Sequence, residues 1–244
     1  MRNLLLVLRY DGTNFHGWQI QPNGNTIQQE LCNAFKNLSG KDENIIGCSR
    51  TDAGVHANMF CCNVRTMCSV PIEKIPNALN FYLPPEISVY DCKEVDYEFH
   101  ARYDCKGKEY VYRIYNGRYR NPFYENKAMF YPYELDVEKL DKEAKAFIGI
   151  HDFSAFCSAG SEVEDKVREI YDCQVTRNGE MVEIKVSGNG FLYNMVRIVV
   201  GTLLDIQRNK IECGTIEQIL ESKNRDNAGI TAEASGLYLN KVYY

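Results

Sequence analysis

The stretch from Gly47 to Ala57 packs an arginine, a carboxylate and a glycine into a segment too irregular for a helix. Ile45 and Ile46 end one apolar run and Val55 opens another, so Asp52 falls at a bend between two extended pieces, with Gly54 supplying the backbone freedom. Residues two apart on an extended segment project to the same face. Arg50 and Asp52 are therefore placed side by side, the cation keeping the carboxylate ionised and oriented. A carboxylate held in this way suits general-base or nucleophilic work. Thr-Asp-Ala-Gly is also ordinary turn chemistry, Asp bonding its own backbone and Gly taking a positive φ, so the residues by themselves leave both readings open.

Other chemistries find less support. Ten cysteines are present, but no Cys-x-x-Cys spacing occurs, and Cys61 and Cys62 would point to opposite faces of a strand. They read as reduced thiols. His16, His56, His100 and His151 are scattered, so no metal site is expected. A net charge of −5 argues against a nucleic-acid partner at first sight. The distribution matters more. Ala101 to Lys127 holds seven basic residues (Arg102, Lys106, Lys108, Arg113, Arg118, Arg120, Lys127) against three acidic ones, compatible with a basic face on an acidic body. A solvated strand pair and loop would show the same pattern.

The elements that must hold Asp52 are legible. Leu4 to Tyr10 reads as a buried strand. Met1 to Arg9 is too short an apolar run for a signal peptide, and no segment approaches a membrane span. A cytoplasmic protein is expected. Thr26 and Gln29 form a capping box for a helix whose Ile27, Leu31, Ala34, Phe35 and Leu38 recur at helical spacing up to Gly40. A strand then leads into the Asp52 loop, and another runs from about Met59 to Thr66. Pro71 opens a helix that Pro84-Pro85 breaks, and Ile87 to Tyr97 is extended.

Lys108 to Tyr115 is again extended, putting Lys108, Tyr110, Tyr112 and Ile114 on one face. Asp136 to Gly149 has the pattern of an amphipathic helix. Asn178-Gly179, between Val167 to Val175 and Met181 to Val186, is a strong hairpin signal. Arg197 lies in the first turns of a helix buried through Met195, Val199, Leu203 and Ile206, and Gly236 to Tyr243 makes a last strand. The chain thus reads as two α/β halves around antiparallel sheet, residues 1–104 carrying the Asp52 loop and residues 105–244 the rest.

Arg50-Thr51-Asp52-Ala53-Gly54-Val55-His56-Ala57 resembles the signature of the tRNA pseudouridine synthase A family. Further motifs resemble that family in the same order along the chain: Tyr10-Asp11-Gly12-Thr13 with Phe15-His16-Gly17-Trp18-Gln19, Lys108-Glu109-Tyr110-Val111-Tyr112-Arg113-Ile114, Phe191-Leu192-Tyr193-Asn194-Met195-Val196-Arg197 with Gly201, and Gly236-Leu237-Tyr238-Leu239. The similarity spans residues 4 to 243. Ser49 stands where the family commonly has glycine, and Glu233 where proline is commoner, which leaves open the shape of the loop before the last strand.

The resemblance implies two similar α/β halves about a central antiparallel sheet with flanking helices and the active cleft between them. It implies an isomerase that needs no cofactor and works on uridines of the tRNA anticodon stem-loop around positions 38, 39 and 40, as a homodimer gripping one tRNA. Asp52 maps to the catalytic aspartate, as nucleophile or as a handler of a sugar proton. Tyr110 maps to the active-site tyrosine that stacks on the extruded uracil, and Arg197 to an active-site arginine that holds Asp52 ionised. Arg50 would fill the vacated stack or touch phosphate. Arg102, Lys106, Lys108 and Arg168 become candidates for phosphate contacts, which fix register without reading sequence. Two rivals are a paralogue with another RNA target and a non-catalytic RNA-binding protein, which would not need Asp52. An Asp-dependent hydrolase fits least, since no partner carboxylate or phosphate-cradling loop is evident.

Overall fold

The structure, a computed structural model, describes residues 1–161 and 163–244. In chain order the main elements are β1 (Arg2–Tyr10), α1 (Ile27–Ser39), β2 (Ile45–Gly47), β3 (His56–Thr66), α2 (Ile75–Tyr82), β4 (Ile87–Val95) and β5 (Gly107–Tyr115). There follow β6 (Met129–Phe130), α3 (Val137–Ala144), β7 (Gly149–Asp152), β8 (Val167–Asn178), β9 (Met181–Gly188), α4 (Met195–Gln207), α5 (Ile216–Ser222) and β10 (Leu237–Tyr243). The chain divides into two compact units, residues 1–106 with 238–244, and residues 107–237. The sequence put everything after residue 105 in one half. The last strand instead joins the first unit, a long-range pairing that no local pattern encodes.

In the first unit the strand order is β4-β1-β3-β10, with β2 added on β3. β1 runs antiparallel to both neighbours, Leu6 facing Cys62 on β3 and Cys92 on β4. Its unbroken apolar run follows from that central place: Leu4, Leu5, Leu6 and Leu8 are all buried. β10 pairs with the start of β3 in parallel, Tyr238 opposite His56. Helix α1 begins as expected, the Thr26 hydroxyl accepting from Gln29 N–H at 3.3 Å, and ends on Gly40 in the left-handed region. Only half of the capping box forms, because the Gln29 amide turns to Asn33 instead.

In the second unit the order is β5-β9-β8-β7, antiparallel throughout, with the short β6 parallel to β5. The β8–β9 hairpin pairs Asn178 with Met181, so its two turn residues are Gly179 and Glu180 rather than Asn178 and Gly179. Gly179 has φ +59 and Glu180 is not among the positive-φ residues, which makes a type II′ turn. Helix α3 stops at Ala144, short of the expected Gly149. Phe147 buries in a separate single turn, and Gly149 at φ +113 turns the chain into β7. Helix α4 is buried almost all round and lies so close to the Gly229-Ile230 backbone that a Cβ on Gly201 would meet the Ile230 oxygen at 1.7 Å. Glu233, where the family favours proline, has φ −58, a value proline would also adopt. Among the described residues no helix is long and apolar enough to cross a membrane.

Candidate active site

Asp52 sits half-buried in the loop between β2 and β3. Its carbonyl accepts from Val55 N–H at 3.2 Å, and Gly54 has φ +77 while Ala53 is not a positive-φ residue. Those features define a type II turn, with glycine where the left-handed angle falls. The turn is tied down from the other side by the segment after β1. Trp18 N–H donates to the Thr51 carbonyl at 3.1 Å, Gly54 N–H to the Phe15 carbonyl at 3.3 Å, and the Tyr10 and Thr51 hydroxyls lie 2.8 Å apart. Two glycines make this approach possible. A Cβ on Gly12 would fall 2.0 Å from the Val55 oxygen, and one on Gly17 would fall 2.3 Å from the Thr51 oxygen. Behind the loop Trp18 is buried and stacks on Phe60 at 4.1 Å.

His56, buried at the start of β3, stacks on Tyr238 at 4.6 Å. Its Nδ1 is 3.0 Å from Gly12 N–H and 3.1 Å from Asp11 Oδ1. Asp11 Oδ1 also takes the Thr13 amide and hydroxyl. His56 thus braces the segment after β1 against the start of β3.

In the second unit Tyr110 lies on β5, buried, its ring edge-on to Phe191 with centroids 5.1 Å apart. Arg197, in the first turn of α4, donates from Nε to the Ala232 carbonyl and from Nη1 to Asn194 Oδ1, both at 2.7 Å. Asn194 takes φ +60 at the helix start and its amide reaches Ser158 Oγ at 2.9 Å. The Ala232 to Gly236 segment is itself held by Tyr112, whose hydroxyl donates to the Glu233 carbonyl at 2.9 Å. Burial pushes the Tyr112 phenol up, so it stays protonated.

A family profile described as tRNA pseudouridine synthase matches residues 6–104 and 144–244. Proteins named tRNA pseudouridine synthase A from Caldicellulosiruptor saccharolyticus, Thermoanaerobacter sp. (strain X514) and Acetivibrio thermocellus are 47%, 46% and 46% identical over 244 residues, each covering 100% of both chains. The chain belongs to the tRNA pseudouridine synthase family. As a tRNA pseudouridine synthase it is an isomerase that converts uridine to pseudouridine in tRNA. Asp52 and Arg197 fall within the segments matched by the family profile, and Tyr110 falls between them.

The synthase's candidate RNA contacts are differently placed. Arg102 and Lys106 belong to the first unit, Lys108 and Arg168 to the second. Arg102 is exposed, 6.0 Å over the Tyr103 ring, and shares a cavity with Arg50. Lys106 is exposed and tied by its amide to Tyr243, and Lys108 is half-buried opposite Gly188. Arg168 spends part of its guanidinium on the Asp165 and Val167 carbonyls. His100 and Tyr103 were not singled out as RNA contacts by the sequence, although in Phe99-His100-Ala101-Arg102-Tyr103 two aromatic residues flank His100 and Arg102 at the edge of the basic stretch. A larger cavity of about 520 Å³ in the second unit is lined by Glu134, Asp136 and Glu138 against Arg177, the wrong sign for a phosphate chain.

Proposed function

We propose that this synthase isomerises uridines of the tRNA anticodon stem-loop, around positions 38, 39 and 40, with Asp52 as the catalytic carboxylate and Tyr110, Arg50 and Arg197 as substrate-binding residues. In the reaction the C1′–N1 bond breaks, a C1′–C5 bond forms, the C5 proton leaves to water and N1 gains one, so atoms balance without a cofactor. Asp52 serves as nucleophile toward the sugar or as acceptor of a sugar proton. Tyr110 replaces the stacking that the extruded uracil gives up, a loss of a few kcal/mol. Arg197 is oriented by Asn194 Oδ1 and the Ala232 carbonyl. Asp52 lies in the first unit, Tyr110 and Arg197 in the second. The enzyme acts in the cytoplasm as a homodimer on one tRNA.

The observation that supports this best is the fixing of the Asp52 turn by backbone bonds and by two glycines that leave no room for a side chain. Such rigidity is what a positioned catalytic group requires. The test is tritium release from tRNA labelled at uracil C5. Asp52→Asn is expected to abolish release while RNA binding persists, and a variant that still turns over substantially would defeat the assignment. Mapping the product pseudouridines then checks the positions.

A further inference from the structure

We propose that the cavity beside the Asp52 loop is a subsite for one nucleotide of the RNA chain next to the reacting uridine. Arg50 and Arg102 hold its phosphodiester and Tyr103 stacks on its base. This deepens the reading given above and rests on it. The cavity measures about 210 Å³ and is built wholly from the first unit. That is below the roughly 300 Å³ of a small-molecule site, so it suits one link of a polymer better than a complete ligand.

Its lining carries one sign of charge. Arg50 and Arg102 face it and no carboxylate does, in a chain whose net charge is −5. Neither arginine has an ion-pair partner among the described residues. Gln28 in the lining is already engaged, accepting from Ile20 N–H at 3.0 Å and donating to the Ile45 carbonyl at 2.9 Å. The charge that can meet a phosphate is on Arg50 and Arg102.

The rim is preformed. His100 N–H donates to Asp104 Oδ2 at 2.8 Å, and Asp104 N–H returns a bond to the His100 carbonyl at 3.0 Å. Ala101, fully buried between them, donates to Asn63 Oδ1 at 2.9 Å and accepts from the Tyr244 hydroxyl at 2.7 Å. This turn holds Tyr103 76% exposed and stacked on His100 at 4.2 Å. A large ring kept in water on a rigid support is a platform for a base. The Arg102 and Tyr103 amides both donate to His100 Nδ1, at 3.2 and 3.3 Å, which puts the ring proton on Nε2 as a further donor. Arg50 is two residues from Asp52, a span of at most about 7 Å. A strand lying in the cavity thus leads straight to the catalytic turn.

The experiment uses the full chain and an anticodon stem-loop RNA labelled with tritium at uracil C5, with KM and its salt dependence measured and folding checked by circular dichroism. Arg102→Ala is expected to raise KM and to lower the log–log salt slope by about 1. Tyr103→Ala is expected to raise KM about fivefold or more, with Tyr103→Phe restoring it. Lys74→Ala, an exposed charge outside the cavity lining, should keep the wild-type slope. Folded Arg102→Ala and Tyr103→Ala proteins with wild-type KM and salt slope would overturn the subsite, as would Tyr103→Phe behaving like Tyr103→Ala. A wild-type protein that releases no tritium would instead strike the assignment of the activity itself.

Discussion

Replacing Gly17 by alanine tests whether the segment after β1 sets the position of Asp52. A Cβ there would lie 2.3 Å from the Thr51 oxygen and 3.1 Å from the Asp52 carbonyl carbon, where ordinary contact begins near 3.4 Å. The obstacle is backbone on both sides, so the Thr51-Asp52 peptide has to retreat by about 1 Å, and such a misplacement costs on the order of 100-fold in rate. Gly17 also sits at φ +84, which alanine resists by about 1–2 kcal/mol. Gly40→Ala separates the two effects, because Gly40 has φ +73 but nothing within 4 Å of its would-be Cβ. Single-turnover tritium release and urea unfolding are measured on both variants. Gly40→Ala should lose about 1 kcal/mol of stability and keep its rate. Gly17→Ala should be about 100-fold slower while still folded. A folded Gly17→Ala enzyme with the wild-type rate, or an equal rate loss in Gly40→Ala, would refute the clamp.

The other expectations concern the second unit. Tyr110→Phe should keep most of the turnover and Tyr110→Leu lose it, and equal activity in the two would remove the stacking role. Tyr112→Phe deletes the bond to the Glu233 carbonyl, so a loss of about 1 kcal/mol in unfolding is expected. A few-fold slower turnover should accompany it, as the segment under Arg197 loosens; unaltered stability would show that bond to be idle. The Asp152 carboxyl is held at about 2 by Lys223, 2.8 Å away, and by Ser154. A carboxyl depressed below its ordinary 3.8 contributes stability that is complete above about pH 4 and lost as the pH falls toward 2. Because Lys223 is largely exposed, Lys223→Met should cost only about 1 kcal/mol near pH 7, with the gap to wild type closing toward pH 2. A gap independent of pH would point to packing of the lysine stem instead.

Where an element declares itself through local periodicity, the sequence and the structure agree: α1, α4 and the β1 run were readable to within a residue or two at most ends. The failures share a cause. β6 and β7 are two and four residues long, too short for any period to show. The hairpin register moved by one residue because Gly179 takes the first turn position, a choice fixed by cross-strand pairing rather than by the dipeptide. The bend at Asp52 was legible from Thr-Asp-Ala-Gly, but the partners that immobilise it, Gly12 and Gly17, lie more than thirty residues upstream. The His100–Asp104 turn was invisible for the same reason, since Asn63 and Tyr244 come from far along the chain.

The parallel pairing of β10 with β3 has a consequence for folding. His56 and Tyr238, or Asn58 and Asn240 whose amides meet at 2.8 Å, are joined across 182 residues of sequence. Contacts of such sequence separation form late. Until Leu237–Tyr243 is in place, the start of the strand that follows the catalytic turn presents a bare edge, and a chain that lacks that segment keeps it bare, ready to recruit another chain.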